Sequence, residues 1–355
     1  MRIIQIIDSL EAGGAERMAV NYANALAERI DFSGLVVTRK QGDLRNQLED
    51  NVSFLFLGKK SSLDINAVFK LRKFVLQNRV EVVHAHSTSI FFAILLKIIS
   101  PRIRIIWHDH YGDSEFLQKR PHWGLKIASL FLKGIIAVNQ NLKVWSQKQL
   151  HFENVIYLPN FPSKENEVEE NTSLKGMVGK RILSLANLRL QKNHFLLLEV
   201  AKMLQVSHPD WTFHLVGKDF GDAYSFQIKN LILELNLQNT VFVYGSKKDV
   251  ANIMKQATLA ILTSQSEGLP VALLEYGWHS KPVVVTRVGE ITLLVQEGVN
   301  GFIVDSNKPD LFYKAVIQLI EREELRAFYG EALYKTVKEY YSEEAVLNNY
   351  LNWLK

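Results

Sequence analysis

The sequence predicts an α/β protein made of two doubly wound domains, each with a parallel sheet. Short apolar runs of the kind buried on both faces of a parallel sheet recur along the 355 residues. Segments with helical periodicity separate them, as in residues 15–29. A polar stretch at residues 163–180 interrupts the alternation once, and the pattern then restarts. A chain of this length suits two domains of ordinary size.

The apolar runs give the predicted strands of each domain. In the first half they are residues 3–7, 35–38, 52–57, 80–85, 103–107, 135–138 and 155–158. In the second half they are residues 181–185, 212–216, 241–244, 259–263, 283–286 and 302–304. The predicted domains are 1–162 and 163–340, with 163–180 as a linker. An aromatic-rich helix over 340–354 ends the chain, and residues 341–355 could pack back on the first domain. Tandem domains of this kind predict a ligand cleft at the carboxyl ends of the strands.

Composition narrows the class of protein. There is no cysteine, which excludes disulfides and thiolate metal sites, and no apolar run is long enough to cross a membrane. The N-terminal apolar run is too short for a secretory signal, so we expect a cytoplasmic protein. Residues 1–160 carry 21 Lys and Arg against 14 Asp and Glu, whereas the remainder is slightly acidic. The basic half could bind anionic lipid at the inner face of the membrane or phosphorylated substrates, or be an ordinary solvated surface. No nucleic-acid-binding module accompanies it.

The stretch 263–275 combines a strand end, a turn and a helix start with two carboxylates. Pro270 is predicted at the first helical position, where its missing N–H costs nothing. A helix start attracts anions, and Glu267 and Glu275 lie on either side of it. The two glutamates are either ligand contacts or ordinary residues of a helix end, and their spacing alone does not decide.

A second group follows the first strand of the second domain. Arg189 lies in the turn after this strand, and Lys192 is predicted to open the next helix. Two cations near a helix start can neutralise a diphosphate. The alternative is that both are exposed surface charges.

Two histidine pairs end adjacent predicted strands of the first domain. His84 and His86 end one strand, and His108 and His110 end the next. Alternation along a strand puts both rings of a pair on one face, for packing as readily as for a metal. A zinc site with Asp109 or Asp113 as oxygen ligand is the independent alternative.

These motifs resemble the retaining glycosyltransferases of family 4, which have the two-domain GT-B fold. Glu267 and Glu275 match the two-glutamate motif of that family, Asn160 precedes the second domain, and residues 13–16, GGAE, match its glycine loop. The matching positions after the glutamates are Gly277, Pro282, Val283, Val284, Val285, Gly289 and residues 297–301. The resemblance covers essentially the whole chain.

The resemblance implies a role for each part of the site. Glu275 would hold the ribose of a nucleotide-sugar donor, and Glu267 with the Gly268-Leu269-Pro270 backbone would face the sugar. The other donor contacts that we expect are Gly13, Gly14, Asn187, Gly245 and Ser246. Asn187 stands where the family commonly has arginine, and Arg189 could supply that charge instead.

The histidines take the remaining roles. His110 aligns with the family histidine that contacts the transferred sugar, and His108 is a competing alignment. We expect His84, His86 and His108 near the acceptor. No Asp-x-Asp pair is present, so we expect no metal and no other cofactor.

Together with these features, the resemblance implies a retaining, metal-independent transferase. It would move a sugar from a nucleotide diphosphate sugar, a UDP-sugar, to a glycan or lipid-linked glycan, as in surface polysaccharide biosynthesis. The alternatives are an epimerase or a phosphorylase of the same fold, and a non-catalytic nucleotide-sugar-binding partner of another transferase. A dinucleotide oxidoreductase is disfavoured because the first turn lacks Gly-x-Gly-x-x-Gly.

Overall fold

The chain divides into two compact units in the computed structural model, which describes residues 1–11, 13–112, 117–162 and 171–355. Domain one comprises Met1–Lys164 with Glu343–Lys355, and domain two comprises Glu165–Ser342. Both are α/β units with a parallel sheet, as the sequence predicts.

Domain one contains a seven-stranded sheet in the order β3-β2-β1-β4-β5-β6-β7. Its strands are β1 Arg2–Ser9, β2 Phe32–Lys40, β3 Ser53–Phe56, β4 Val82–His86, β5 Arg104–Asp109, β6 Gly134–Ala137 and β7 Val155–Tyr157. Its helices are α1 Gly14–Ala27, α2 Ile65–Gln77, α3 Ile90–Ile99, α4 Trp123–Ser129, α5 Gln140–Gln149 and, at the C-terminus, α13 Glu343–Leu354. All seven strands coincide with predicted apolar runs to within a few residues, so the doubly wound prediction is confirmed.

Domain two contains a six-stranded sheet in the order β10-β9-β8-β11-β12-β13. Its strands are β8 Arg181–Leu185, β9 Thr212–Val216, β10 Val241–Gly245, β11 Leu259–Leu262, β12 Val283–Thr286 and β13 Phe302–Val304. Its helices are α6 His194–Ser207, α7 Ala223–Glu234, α8 Val250–Gln256, α9 Val271–Trp278, α10 Ile291–Leu294, α11 Pro309–Glu321 and α12 Glu323–Tyr340. The predicted strands of this half are likewise confirmed.

The end of the chain differs from its prediction. The predicted last helix over 340–354 is present, but it starts later than predicted, because α12 ends at Tyr340 and α13 begins at Glu343. Two glutamates in the first turn of α13 favour a new helix start there. Helix α13 packs within domain one, where the Tyr350 hydroxyl lies 3.1 Å from Nδ1 of His84.

The predicted linker is partly packed on domain two. The backbone N–H and the hydroxyl of Thr172 each donate to the Asp249 carboxylate at 2.7 Å, and Leu174 is buried. Residues 171–180 are therefore not a free linker, and the rest of that predicted segment, 163–170, lies outside the described residues.

A layer of imidazole rings fills the core of domain one between the sheet and helices α1 and α13. His84, His86 and His108 are all 0% exposed. The Tyr22 ring of α1 packs edge-on against His84, with 5.1 Å between ring centroids. Burial lowers the pKa of all three histidines well below 6.5, so their rings are neutral in the folded protein.

Because of this layer of neutral rings, the stability of the protein depends on pH and decreases in acid. In the unfolded chain the rings take up protons as the pH falls below about 6.5, whereas the folded rings do not. The unfolded state then binds more protons, so the free energy of unfolding falls as the pH falls. The expected slope is up to about 1.4 kcal/mol per pH unit for each such histidine.

Urea unfolding between pH 7 and pH 4.5 measures this slope. We expect a shallower slope for His86→Gln than for the wild type, and an unchanged slope for the control His151→Asn, whose side chain is exposed. Equal slopes for His86→Gln and the wild type would contradict the prediction, whatever the absolute stability of the variant.

Candidate functional site

The sheet order of domain two creates a crevice at its carboxyl edge. Strands β8 and β11 are neighbours, but the chain leaves β8 toward β9 and leaves β11 toward β12, on opposite sides. Loops that diverge in this way leave an opening where α/β sheets bind ligands. Both motifs that the sequence singles out in this domain follow these two strands.

A part-buried ion pair joins the two motifs. The Lys192 ammonium contacts the Glu267 carboxylate, which also accepts a hydrogen bond of 2.7 Å from the Ser264 hydroxyl. The Thr263 hydroxyl donates to the carbonyl of Lys192 at 3.0 Å. A cation and an anion from loops 75 residues apart are thus held at one point.

The backbone of Glu267 is fixed by a close approach of Gly289. A Cβ atom on Gly289 would lie 1.8 Å from the Glu267 carbonyl oxygen, and φ of Gly289 is +52°. Only glycine fits both the space and the backbone conformation. This explains why a glycine stands at position 289.

The start of α6 corrects the prediction for Lys192. The helix begins at His194, and Lys192 ends a short 3-10 turn, Leu190–Lys192. Asn193 separates the two in the left-handed conformation, with φ of 49°. The backbone N–H of Lys192 donates to the carbonyl of Arg189 at 2.9 Å, so Lys192 offers its side chain rather than a free helix-start amide.

The loop before this turn is held by Asn187. Its Oδ1 accepts a hydrogen bond of 2.8 Å from the backbone N–H of Lys218, and a Cβ on Gly217 would lie 2.2 Å from the carbonyl of Ala186. The Arg189 side chain is exposed and lies over Phe220, with its guanidinium carbon 4.6 Å from the ring centroid. Asn187 therefore ties two loops together, and its contact with a donor stays a prediction.

Helix α9 places the second glutamate. Pro270 is the residue before the helix rather than its first residue, and its carbonyl accepts from the backbone N–H of Leu273 at 3.0 Å. Glu275 lies within the helix and is buried, as are Glu267 and Leu269, while Gly268 is half-buried. Two carboxylates thus flank one helix start, as the sequence predicts.

Strand β10 pairs with β9, which lies next to β8 on the side away from β11. Gly245 ends the strand with φ of +69°, which favours glycine, and Ser246 after it is exposed. Their predicted contact with the nucleotide-sugar donor stays a prediction.

Domain one has its own divergence point, between β1 and β4, and the sequence analysis missed the residue there. Asp8 accepts hydrogen bonds from the hydroxyls of Thr38 at 2.5 Å and Thr88 at 2.7 Å, and the Lys59 ammonium lies 3.3 Å away. Burial alone would raise the pKa of Asp8, but these hydrogen bonds and Lys59 outweigh it and lower that pKa. An acidic residue at the end of the first strand was the available signal.

The glycine loop after β1 is partly covered by its own chain. Gly13 precedes α1 and Gly14 is the first helical residue. A Cβ on Gly13 would lie 2.1 Å from Oε2 of Glu16, so this carboxylate lies against the helix start. Any donor contact with the Gly13 and Gly14 amides would compete with Glu16.

Four histidines at the ends of β4 and β5 form two hydrogen-bonded pairs. His84 Nε2 lies 3.0 Å from His108 Nδ1, and His86 Nδ1 lies 3.0 Å from His110 Nε2. His84, His86 and His108 are fully enclosed, which argues against the predicted direct contact with an acceptor. His110 follows β5 and is only half-buried, and burial lowers its pKa to about 3.

The alternative of a metal site is disfavoured by ring geometry. Nitrogens of His84, His86 and His108 lie within 4.8 Å of one another. However, the His84 and His86 planes are stacked 17° apart, so lone pairs in these planes do not converge on one ion. Asp109 is bound through both oxygens by the buried Arg120, at 2.6 and 2.9 Å. Asp113 lies outside the described residues, and the expectation of no metal stays a prediction.

Comparisons with known proteins identify the family of the chain. Residues 12–161 match the family described as Glycosyltransferase Family 4, and residues 165–336 match Glycosyl transferases group 1. An uncharacterized glycosyltransferase of Haemophilus influenzae is 25% identical over 88% of each chain. A UDP-Gal:alpha-D-GlcNAc-diphosphoundecaprenol alpha-1,3-galactosyltransferase of Escherichia coli is 24% identical over 87% of this chain and 85% of its own.

Solved structures give the same result for the fold. HepE of Anabaena, solved in complex with UDP and glucose, superposes with a TM-score of 0.81 over 100% of this chain and 99% of its own, at 18% identity. The two family matches together span nearly the whole sequence. The chain therefore belongs to the glycosyltransferases, with a family 4 region followed by a group 1 region.

Proposed function

We propose that this glycosyltransferase transfers a sugar from a UDP-sugar to a glycan or lipid-linked glycan, with retention of configuration and without a metal ion. The observation that carries the proposal is the Lys192–Glu267 pair in the crevice of domain two. It places a cation suited to a diphosphate next to a carboxylate suited to sugar hydroxyls. The names of the relatives support the donor, because the Escherichia coli enzyme is named for UDP-Gal and HepE was solved with UDP and glucose.

The chemistry needs a cation rather than a nucleophile. The bond from the sugar anomeric carbon to the β-phosphate oxygen breaks, and its electron pair stays on the phosphate. Lys192 and the exposed Arg189 stabilise this charge, while Glu275 holds the ribose. The acceptor oxygen bonds to the anomeric carbon from the same face, and its proton passes to a phosphate oxygen. Retention then follows without a covalent enzyme intermediate.

The ion pair prepares Lys192 for this role. In a loop without a partner, a lysine side chain would lose considerable rotamer freedom on binding a phosphate. Glu267 holds the ammonium in place beforehand, and Ser264 in turn holds Glu267. The binding energy of the donor is then available for the transition state.

A nucleotide panel tests the donor and the absence of a metal. We expect UDP to raise the thermal midpoint more than GDP or ADP, since a ligand at 100 times its Kd stabilises by about 2.7 kcal/mol. Turnover of the UDP-sugar should persist in excess EDTA. A preference for another nucleotide, or loss of turnover in EDTA that Mg²⁺ or Mn²⁺ restores, would contradict the proposal. Dependence on free phosphate, or turnover without an acceptor, would favour a phosphorylase or an epimerase.

Replacing Lys192 tests the role of its charge. Lys192→Ala should lower kcat by about 10²- to 10³-fold, the usual cost of removing one stabilising group from a transition state. The thermal midpoint should change little, because the side chain is partly exposed. The matched control is Lys229→Ala on α7, which breaks an exposed ion pair with Asp219. Wild-type turnover in Lys192→Ala would rule out the assigned role.

We also propose that domain one docks on an anionic membrane surface, which suits a lipid-linked acceptor. The α3–α4 patch consists of five large apolar side chains that are 47% to 81% exposed: Phe91, Ile98, Trp123, Ile127 and Leu130. A Cβ on Gly124 would lie 3.9 Å from the Phe91 ring, so the two helices adjoin. Exposed apolar residues in one patch mark an interaction site.

The charges around the α3–α4 patch indicate which kind of partner binds it. Residues 90–108 and 117–134 contain no Asp or Glu. Besides Arg120, which is buried against Asp109, they contain six cations: Lys97, Arg102, Arg104, Lys119, Lys126 and Lys133. Apolar and aromatic side chains among cations fit the interface of an anionic bilayer. Among the described residues, no helix is both long and apolar enough to cross a bilayer.

Vesicle flotation tests the patch. The triple variant Trp123→Gln, Ile127→Gln, Leu130→Gln should reduce co-flotation with anionic vesicles at least tenfold, since each buried side chain contributes about 1.5 kcal/mol or more. Binding of the wild type should weaken as salt rises.

The matched control alters exposed apolar residues of domain two, Val206→Gln, Phe226→Gln and Leu233→Gln. It should float like the wild type. Membrane docking would be contradicted if the wild-type protein did not bind anionic vesicles, or if it dimerised through the patch.

A further inference from the structure

A chain of hydrogen bonds runs through the core of domain one to the half-buried His110. Gln5 Oε1 lies 2.9 Å from His86 Nε2, and His86 Nδ1 lies 3.0 Å from His110 Nε2. Gln5 and His86 are both 0% exposed. Gln5 lies on β1, His86 on the neighbouring β4, and His110 directly after β5, so three neighbouring segments contribute to one line of polar groups.

The rings in this chain are neutral, and that fixes how protons are shared. Burial lowers the pKa of His86 well below its ordinary value and that of His110 to about 3. A neutral imidazole carries one N–H and one lone pair. Each ring must therefore donate through one nitrogen and accept through the other, so one end of the chain determines the tautomer of every ring.

Gln5 is the end of the hydrogen-bond chain that determines the tautomers. The Gln5 amide is oriented with its oxygen toward His86, and an amide oxygen only accepts. In this orientation the proton of His86 is on Nε2 and its Nδ1 has the lone pair. His86 Nδ1 then accepts from an N–H on Nε2 of His110. The remaining nitrogen of His110, Nδ1, is left as an acceptor.

The second histidine pair fixes the ring planes. The His108 ring lies 3.9 Å from the His110 ring and the His84 ring lies 4.5 Å from the His86 ring, centroid to centroid. Tyr350 of α13 in turn stacks on His84 at 5.3 Å. The packed rings therefore restrict the rotation of the His110 ring, while the hydrogen bonds determine its tautomer.

We propose that Gln5 and His86 are positioning residues that hold His110 in the Nε2–H tautomer, so that its Nδ1 accepts a hydrogen bond from a hydroxyl of the transferred sugar. The tautomer follows from domain one alone, and the sugar contact rests on the proposed function. Neither residue touches substrate in this scheme.

Nitrogen-15 NMR of histidine-labelled full-length protein tests the tautomer without any substrate, with the His110 signals assigned from a His110→Asn sample. We expect the wild type to show His110 protonated on Nε2. In Gln5→Leu, which removes the acceptor, we expect a mixture of both tautomers, and the exposed Gln77→Leu should match the wild type. A wild type protonated on Nδ1, or a Gln5→Leu spectrum identical to the wild type, would overturn the proposal.

Kinetics then tests the consequence for transfer. In Gln5→Leu we expect kcat to fall about two- to tenfold, in proportion to the fraction in the other tautomer, with the KM for donor unchanged. Gln5→Met serves as a second variant if Gln5→Leu does not fold. Unchanged kcat alongside an altered tautomer would overturn the sugar contact. The stabilisation by UDP, which reports on domain two, should not change in either variant, so failure of this proposal and failure of the proposed function are distinguishable.

Discussion

The ion pair between Lys192 and Glu267 is the interaction on which the geometry of the candidate site in domain two depends. It joins loops that leave β8 and β11 in opposite directions, and it brings the two charged motifs to one point. The surrounding contacts reinforce it, because Gln265 donates from its backbone N–H to the carbonyl of Gln191 at 2.8 Å and Gly289 packs directly on the backbone of Glu267. A site held by several independent contacts is pre-organised, which lowers the cost of ordering it around a ligand.

Domain one has the same divergence of neighbouring strands, with different side chains at that point. Its neighbouring strands β1 and β4 also diverge, and side chains from both meet at the edge. There Gln5 and His86 share a neutral hydrogen bond, while Asp8 is held by Thr38, Thr88 and the Lys59 ammonium. A charged crevice suits a diphosphate, whereas neutral donors and acceptors suit hydroxyl groups. The two sheets share one topology at this point, and the side chains that their loops place there differ.

The sequence predicts what depends on local pattern and misses what depends on partners from elsewhere. Apolar runs located every strand, because burial on both faces of a parallel sheet leaves a continuous signal. The histidine pairs were visible, but their partners Gln5, Tyr22 and Tyr350 lie on β1, α1 and α13, and no local pattern connects them. The start of α6 moved from Lys192 to His194 because Asn193 adopts a left-handed conformation, which residue preferences alone do not require.

The low pKa of His110 bears on which group accepts the proton in the proposed transfer. A base is most effective when its pKa lies near the working pH, and burial takes His110 to about 3. Protonating it would also place a cation against the stacked rings of His108 and His86. His110 is therefore suited to accept a hydrogen bond and unsuited to remove a proton. The phosphate oxygen of the departing nucleotide carries a negative charge, which the neutral His110 lacks. We therefore propose that this oxygen takes the proton of the acceptor hydroxyl.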